Sequence, residues 1–422
     1  MRTRMVKQES MKSFNIIHTK NFEDNPTDRQ ERIAWWSQEK LKKAKVMVVG
    51  AGAIGNETLK NLALLGIGNI FIVDFDIIST SNLSRTVLFR KTDVGKKKAE
   101  IAAKRVKEMA FHDDINVEWF HGDLVWDLGT GVFSEMDIVL GCLDNVEARM
   151  AINRQCWLAK TPWVDSGMYE LGLRVEFYNP PQEPCYECNL TPTQIQNSNK
   201  RYSCDYTKLK AFNEDKMPTT QITSAIVSGI QVQEAVKFIC GEKVQTGKQI
   251  YFQGKTNDFD IFSKRANASC TAHASYPDVT EIPLDVYCTL KQFLEFVSQQ
   301  QYAGTNATLD FRGDRTFIKT VSCRTCHKTI ELMRPVFRIE ADEFICKSCK
   351  TEGESFSNTN TNLETEKVVQ DTFNIENTDE SLLNFTLYQL GVPHMHVLSV
   401  LDSNGTYKYF KLIDKTILKS IH

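Results

Sequence analysis

No run in this 422-residue chain reaches the roughly 18 consecutive apolar residues that a membrane-spanning helix needs. Its opening, MRTRMVKQESMKSF, lacks the apolar core of a secretory signal. Charge of one sign is not in surplus either: 51 lysines and arginines face 53 aspartates and glutamates, for a net charge of −2. No global field therefore points to nucleic acid or to a membrane surface. These absences lead us to expect a cytoplasmic protein with neither kind of partner. Internal repeats are missing as well. With 41% hydrophobic and 25% charged residues, the composition excludes intrinsic disorder, and the length suffices for two or three domains that need no external staple. What the chain does have is 12 cysteines. In a reducing compartment these are expected to bind metal or do chemistry rather than pair as disulfides.

Residues 1–24 are polar and aperiodic, a flexible arm by expectation. A first domain is expected over residues 25–278. Short strand signals at Val46–Val49, Ile70–Val73, Asn116–Phe120 and Asp137–Gly141 alternate there with helical patterns at Asn56–Leu65, Lys96–Ala110 and Val146–Ala159. Such alternation predicts an α/β, Rossmann-like, doubly wound parallel sheet covered on both faces. Beyond it come a strand-like Leu171–Tyr178, a proline-rich turn, an irregular polar stretch over Gln194–Lys216, a buried helix over Ile222–Cys240 and an edge strand at Ile250–Phe252. Residues 279–422 read as a smaller α+β accessory domain. Its cues are a capping box at Thr289 and Gln292, a polar linker over 350–366 and a hairpin turn at Asp402–Gly405.

Gly50-Ala51-Gly52-Ala53-Ile54-Gly55 directly follows a strand and opens a helix, where backbone N–H groups and the helix dipole meet an anion, usually a phosphate. Asp74 ends the next strand, where an acid takes ribose hydroxyls, with Asp76 as the alternative. To this point a nicotinamide-dependent oxidoreductase fits equally well. The loop beyond Asp74 is crowded with Asn82, Arg85 and then Lys96, Lys97 and Lys98. A dinucleotide has little need of them, whereas a triphosphate losing pyrophosphate does. Asp144, where a strand becomes a helix at the carboxyl edge of the sheet, suits magnesium or a helix N-cap.

The set GAGAIG, VDFDIISTSNLSR, VGKKK, GCLDN and PTTQITSAIVSGIQVQEAVKF resembles the ubiquitin-activating superfamily, including the ThiF, MoeB and HesA adenylyltransferases, over about residues 25–275. The resemblance implies that Gly50, Gly52, Gly55, Asn82, Arg85 and Lys98 hold the phosphates of ATP. It also places Asp74 or Asp76 on the ribose and Asp144, with Asn145 beside it, at the nucleotide and magnesium site. An arginine of an N-terminal R-Q motif, Arg29 with Arg32 as second choice, would reach the partner's site in a homodimer. The implied reaction joins the C-terminal glycine of a ubiquitin-like protein ending in di-glycine to AMP. Its acyl group would then pass to a catalytic cysteine and on to a conjugating enzyme or other acceptor. Alternatives are a sulfur-carrier adenylyltransferase that stops at the adenylate, the oxidoreductase, and an inactive zinc scaffold. This chain ends Lys419-Ser420-Ile421-His422, so it is not expected to be the carrier itself.

Cys185 and Cys188 form a C-x2-C knuckle after prolines, a frequent start of a zinc site. The resemblance implies a second pair near the domain's end, which here reads Cys270 and His273. Cys323, Cys326, Cys346 and Cys349 have the spacing of a zinc ribbon, expected over 320–351. Cys142 and Cys240 lie in apolar elements and suit a core, while Cys156 and Cys288 have no chemical neighbours. Cys204 sits in a polar stretch with Lys200 and Arg201 nearby, where activating enzymes carry their catalytic cysteine, and is the thioester candidate.

Overall fold

A computed structural model describes residues 25–199, 218–299, 301–313, 315–344, 346, 348–349, 365–414 and 417–419. Eight strands form one sheet in the order β3-β2-β1-β4-β5-β6-β7-β8. They are β1 (Lys45–Val49), β2 (Asn69–Val73), β3 (Asn116–Phe120), β4 (Ile138–Gly141), β5 (Trp163–Tyr169), β6 (Gly172–Tyr178), β7 (Lys248–Gln253) and β8 (Asp258–Ser263). Pairing is parallel from β3 to β5 and antiparallel from β5 to β8. The central strands KVMVV, NIFIV and IVLG are buried almost throughout, as parallel strands covered on both faces must be.

Two cores follow from their alternation. Val46, Val48, Ile70 and Ile72 pack under the helices Ala53–Leu65, Lys98–Met109 and Gln221–Cys240. Met47, Val49, Phe71 and Val73 face the helix Val146–Ala159 on the other side. The fold is the expected doubly wound α/β sheet, and β1, flanked by β2 and β4, marks the point where strand order reverses.

Two expectations need correcting. Ile250–Phe252 was expected at the edge, but β7 is internal and the edge is β8, all six of whose residues are exposed. Asp258 and Asp260 alternate there with Phe259 and Ile261, a strand pattern only a few residues long. The helix Gln221–Cys240 was expected to be buried. Its Val227, Val232, Ala235 and Val236 do enter the core, yet Ile222 is 67% exposed and Ile226 40%.

The rest of the chain forms a five-stranded sheet, β14-β10-β15-β16-β9, and a three-stranded one, β12-β11-β13. The first comprises β9 (Val279–Ile282), β10 (Thr308–Asp310), β14 (Thr372–Phe373), β15 (Val397–Leu401) and β16 (Tyr407–Leu412). The second comprises β11 (Phe317–Cys323), β12 (Thr329–Pro335) and β13 (Thr365–Gln370). The capping box forms in both directions. The Thr289 hydroxyl accepts from Gln292 N at 3.1 Å, and the Gln292 side chain accepts from Thr289 N at 2.8 Å. It starts a helix whose Leu290, Phe293, Leu294 and Val297 enter a hydrophobic cluster built from residues 282–412. The turn at Asp402–Gly405 joins β15 to β16 as expected, with Gly405 at φ +75°. The arm 1–24 and most of the linker 350–366 lie outside the described residues.

Candidate nucleotide-binding site

The glycine loop owes its shape to backbone crowding at two positions and to open space at a third. At Gly50, φ is +94° and a Cβ would stand 2.5 Å from Cys142 O; at Gly55 it would stand 1.9 Å from Gly50 O. These two let helix and strand ends meet. Gly52 caps the helix Ala53–Leu65, and a Cβ there would meet nothing within 4 Å. Its free side faces a cavity of about 470 Å³ lined by Gly50, Gly52, Asp74, Asp76, Asn82, Arg85, Lys98, Asp144 and Asn145. A helix N-terminus opening into such a space fits a phosphate.

Asp74 accepts from Ala51 N and Asp76 N, both at 2.7 Å, which ties the glycine loop to the end of β2. Burial pushes its carboxyl up, with the Lys98 charge opposing. Asp76 instead holds Lys98, whose Nζ donates to it at 2.6 Å and whose side chain is otherwise buried. Arg85 donates to Ser81 O at 3.1 Å, and Asn82 braces its turn by accepting from Ser79 N at 2.9 Å. Across the cavity, the N-cap of the helix Val146–Ala159 is Asn145, which accepts from Ala148 N at 2.8 Å. The capping role considered for Asp144 therefore belongs to its neighbour, and the Asp144 carboxylate stands at the cavity.

Sequence reasoning missed a buried charge network beneath the other end of this cavity. Asp165, fully buried, accepts from Arg149 Nε at 3.0 Å and pairs with Arg174 at 3.3 Å. Arg174 also pairs with Glu176 at 3.3 Å, and Lys264 with Glu176 at 2.6 Å. Burial pushes the Asp165 carboxyl up; at Glu176 burial is outweighed by Lys264 and Arg174, which together hold it down. Arg149 and Arg174 both line the cavity, and Arg149 also donates to Leu143 O and Ser166 O, pinning the turn that carries Asp144. The available signal was Arg174 and Glu176 at alternate positions of an otherwise apolar strand.

Arg29 is exposed, with an 83% accessible side chain, and Arg32 pairs with Asp28 at 2.9 Å. Neither lines the cavity of its own chain. Cys204 lies outside the described residues. Among the described cysteines, burial pushes the thiols of Cys142 and Cys288 up to about 12 and that of Cys156 well above its usual range, so none of these three is poised as a nucleophile.

Both cysteine clusters assemble. In the first, Sγ of Cys185 lies 3.7 Å from those of Cys188 and Cys270, and Cys188 Sγ lies 3.3 Å from His273 Nε2. In the second, Cys323 and Cys349 are 3.8 Å apart, and Cys326 and Cys346 3.6 Å. A tetrahedral zinc with bonds of about 2.3 Å spaces its sulfurs by about 3.8 Å. All four ligand atoms of each set fall within 4.8 Å of one another, so either could hold a metal ion.

The ThiF family model matches residues 27–272. SUMO-activating enzyme subunit 2 of Dictyostelium discoideum is 40% identical over 151 residues, which is 36% of this chain and 22% of that protein. Adenylyltransferase and sulfurtransferase MOCS3 of Culex quinquefasciatus is 30% identical over 257 residues, 60% of this chain and 56% of that protein. The chain thus spans little more than half, or less, of these relatives. The crystal structure of E. coli MccB with succinimide has 24% identity and a TM-score of 0.50, covering 60% of this chain and 75% of that one, a likeness of fold alone.

Proposed function

Since the chain belongs to the ThiF family, whose model matches more than half of it, we propose that it is an ATP-dependent adenylyltransferase for the C-terminal carboxylate of a ubiquitin-like protein. The observation that carries this reading is the meeting of the glycine loop, Asp74, Arg85, Lys98 and Asp144 on one cavity at the strand-order switch point. Gly50, Gly52 and Gly55 admit the phosphates to the helix N-terminus. Asp74 takes ribose hydroxyls on its remaining lone pairs, and Asp76 holds Lys98 in place. The substrate carboxylate attacks the α-phosphorus, an acyl–phosphate bond forms and the bond to pyrophosphate breaks. No proton has to move, which suits a site built from cations and positioning groups. Arg85 and Lys98 offset the charge that builds on the leaving pyrophosphate. Asp144, with the capping carried by Asn145, would hold magnesium, which supplies further charge neutralisation when bound. Zinc would fill the Cys185–Cys188–Cys270–His273 and Cys323–Cys326–Cys346–Cys349 sets.

The reading includes a homodimer in which Arg29, or Arg32 in its stead, serves the site of the second copy; Arg29 is exposed, and neither lines the cavity of its own chain. In the fuller cycle the acyl group passes to Cys204 as a thioester and then to a conjugating enzyme in the cytoplasm. A second reading stops at the adenylate and serves sulfur transfer, favoured by the relative named as adenylyltransferase and sulfurtransferase. Carrier-dependent ATP–pyrophosphate exchange with di-glycine-ending proteins tests the first step: exchange should vanish in Asp144→Ala, and failure of the wild type to bind ATP at all would overturn the proposal. A reducible carrier adduct, absent from Cys204→Ala, would select the thioester cycle. Exchange without the adduct selects the sulfur-carrier reading.

A further inference from the structure

The strand order fixes which end of the cavity receives the nucleobase. With the phosphates of an ATP at the glycine loop after β1 and its ribose at Asp74 just after β2, the base, attached on the far side of the ribose, would fall at the end of β3. Gly122–Val125 line the cavity there. That wall is a tight polar turn: Val125 N donates to Asp123 Oδ1 and Asp123 N to Asp127 Oδ2, both at 2.8 Å, and Asp127 N returns to Asp123 O at 2.9 Å.

The outer side of the turn is covered by the second domain. Trp126 stacks on Phe337 with ring centres 4.7 Å apart and planes 8° off parallel. Buried Arg315 donates to Gly391 O at 2.9 Å and reaches Trp126 O at 3.5 Å. Asp127 lies within the fields of Arg338 and Arg315, both from the second domain. Just downstream the two backbones interlock, Gly129 N donating to His394 O at 3.0 Å and Gly131 N to Met395 O at 2.9 Å. A Cβ on Gly129 or Gly131 would stand 2.4 or 2.3 Å from those same carbonyl oxygens. A contact this close transmits position.

We propose that the C-terminal domain is the outer support of the nucleobase wall, with Phe337 and Arg315 as positioning residues that act on Gly122–Val125 through Trp126 and Asp127. This rests on the reading of the cavity as an ATP site. It gives the accessory domain a part in nucleotide selection, and it makes the Trp126–Phe337 stack the seam through which anything bound to that domain would be felt at the base.

The test is equilibrium titration of full-length wild type, Phe337→Ala and Phe337→Tyr with ATP, GTP and inorganic tripolyphosphate, alongside thermal melts. For Phe337→Ala the ATP Kd should rise about fivefold or more, and the preference for ATP over GTP should shrink. Tripolyphosphate binding should stay within about twofold, and Phe337→Tyr, which keeps the stack, should behave as wild type. If Phe337→Ala does not fold, Phe337→Leu is read in the same way. A folded variant with unchanged ATP affinity and base preference would overturn the inference, as would equal weakening of ATP and tripolyphosphate. Wild type that binds tripolyphosphate but no nucleotide would overturn the ATP reading itself.

Discussion

The two cysteine clusters present nearly the same ligand chemistry in opposite structural settings. In the first, Cys185 and Cys270 are 85 positions apart, and the chain between them includes the helix Gln221–Cys240 and the β7–β8 hairpin. The cluster is packed on Trp157 and Ala272, and His273 stacks on the Trp157 ring at 4.4 Å while its Nδ1 pairs with Glu183 at 3.0 Å. In the second, Cys326 and Cys346 are 20 positions apart, Cys326 is exposed, and the ligands belong to one three-stranded ribbon. Closing a longer loop removes more chain entropy, and a buried ligand cannot fall back on water. With a metal bound, the first cluster would clamp a whole domain, and the second would shape a local element.

The largest break in that comparison is Cys185→Ser. It should release one metal ion per chain and cost on the order of 3–5 kcal/mol in chemical denaturation, with loss of cooperative melting of the first domain. Cys346→Ser should also release one ion, read by metal analysis, but cost only about 1–2 kcal/mol globally, because unfolding of a ribbon is local. Val336 and Ile339 pack with Ile318 in the core of that ribbon, and the turn Val336–Arg338 carries Phe337. Its measurable consequence should therefore be weaker ATP binding rather than collapse. A third variant sharpens the ligand chemistry: His273→Cys should keep the bound ion and stay within about 1 kcal/mol of wild type, whereas His273→Ala should lose the ion.

The smallest effect is at the stitch between the two domains, where Lys411 pairs with Glu135 and, at 3.0 Å, with Glu281. Burial opposes the Lys411 charge, but the two carboxylates outweigh it and raise its pKa above the ordinary 10.5. A base with a raised folded pKa stabilises fully below its unfolded value and loses that contribution as pH climbs through the folded one. Lys411→Met should accordingly be less stable by up to about 1 kcal/mol at pH 7. The gap to wild type, followed by denaturation across pH, should close in alkali above 10.5.

Much of the first domain could be read because its signals are local. Val46–Val49 and Ile70–Val73 are short apolar runs rich in β-branched residues, Asn116–Phe120 alternates Val117 and Trp119 with polar Asn116 and Glu118, and each lies in a strand. The glycine loop was legible for the same reason, since crowding at Gly50 and Gly55 leaves no tolerated alternative. The edge strand β8 was not read, although Phe259 and Ile261 alternate there with Asp258 and Asp260, because a six-residue stretch with no buried face is hard to tell from a polar loop. The exposed face of Gln221–Cys240 was hidden by the reverse effect: Ile222 and Ile226 are apolar without being covered within this chain.

The residues alone determined the doubly wound sheet, the glycine loop with Asp74 behind it, the Cys185–Cys188 knuckle and the Cys323–Cys326–Cys346–Cys349 set, since each rests on periodicity or on short spacings within one segment, whereas the pairing of the knuckle with Cys270 and His273, 85 positions on, came from the family resemblance. Only the tertiary structure decided that Asn145 and not Asp144 caps its helix. It also decided that Arg149, Asp165, Arg174, Glu176 and Lys264 share one buried network, and that Phe337 stacks on Trp126, next to the cavity-lining turn Gly122–Val125. Those facts depend on which distant side chains end up within a few ångströms of each other. A charge or a ring reads the same along the chain whether its partner is water or a residue two hundred positions away, and packing alone distinguishes the two.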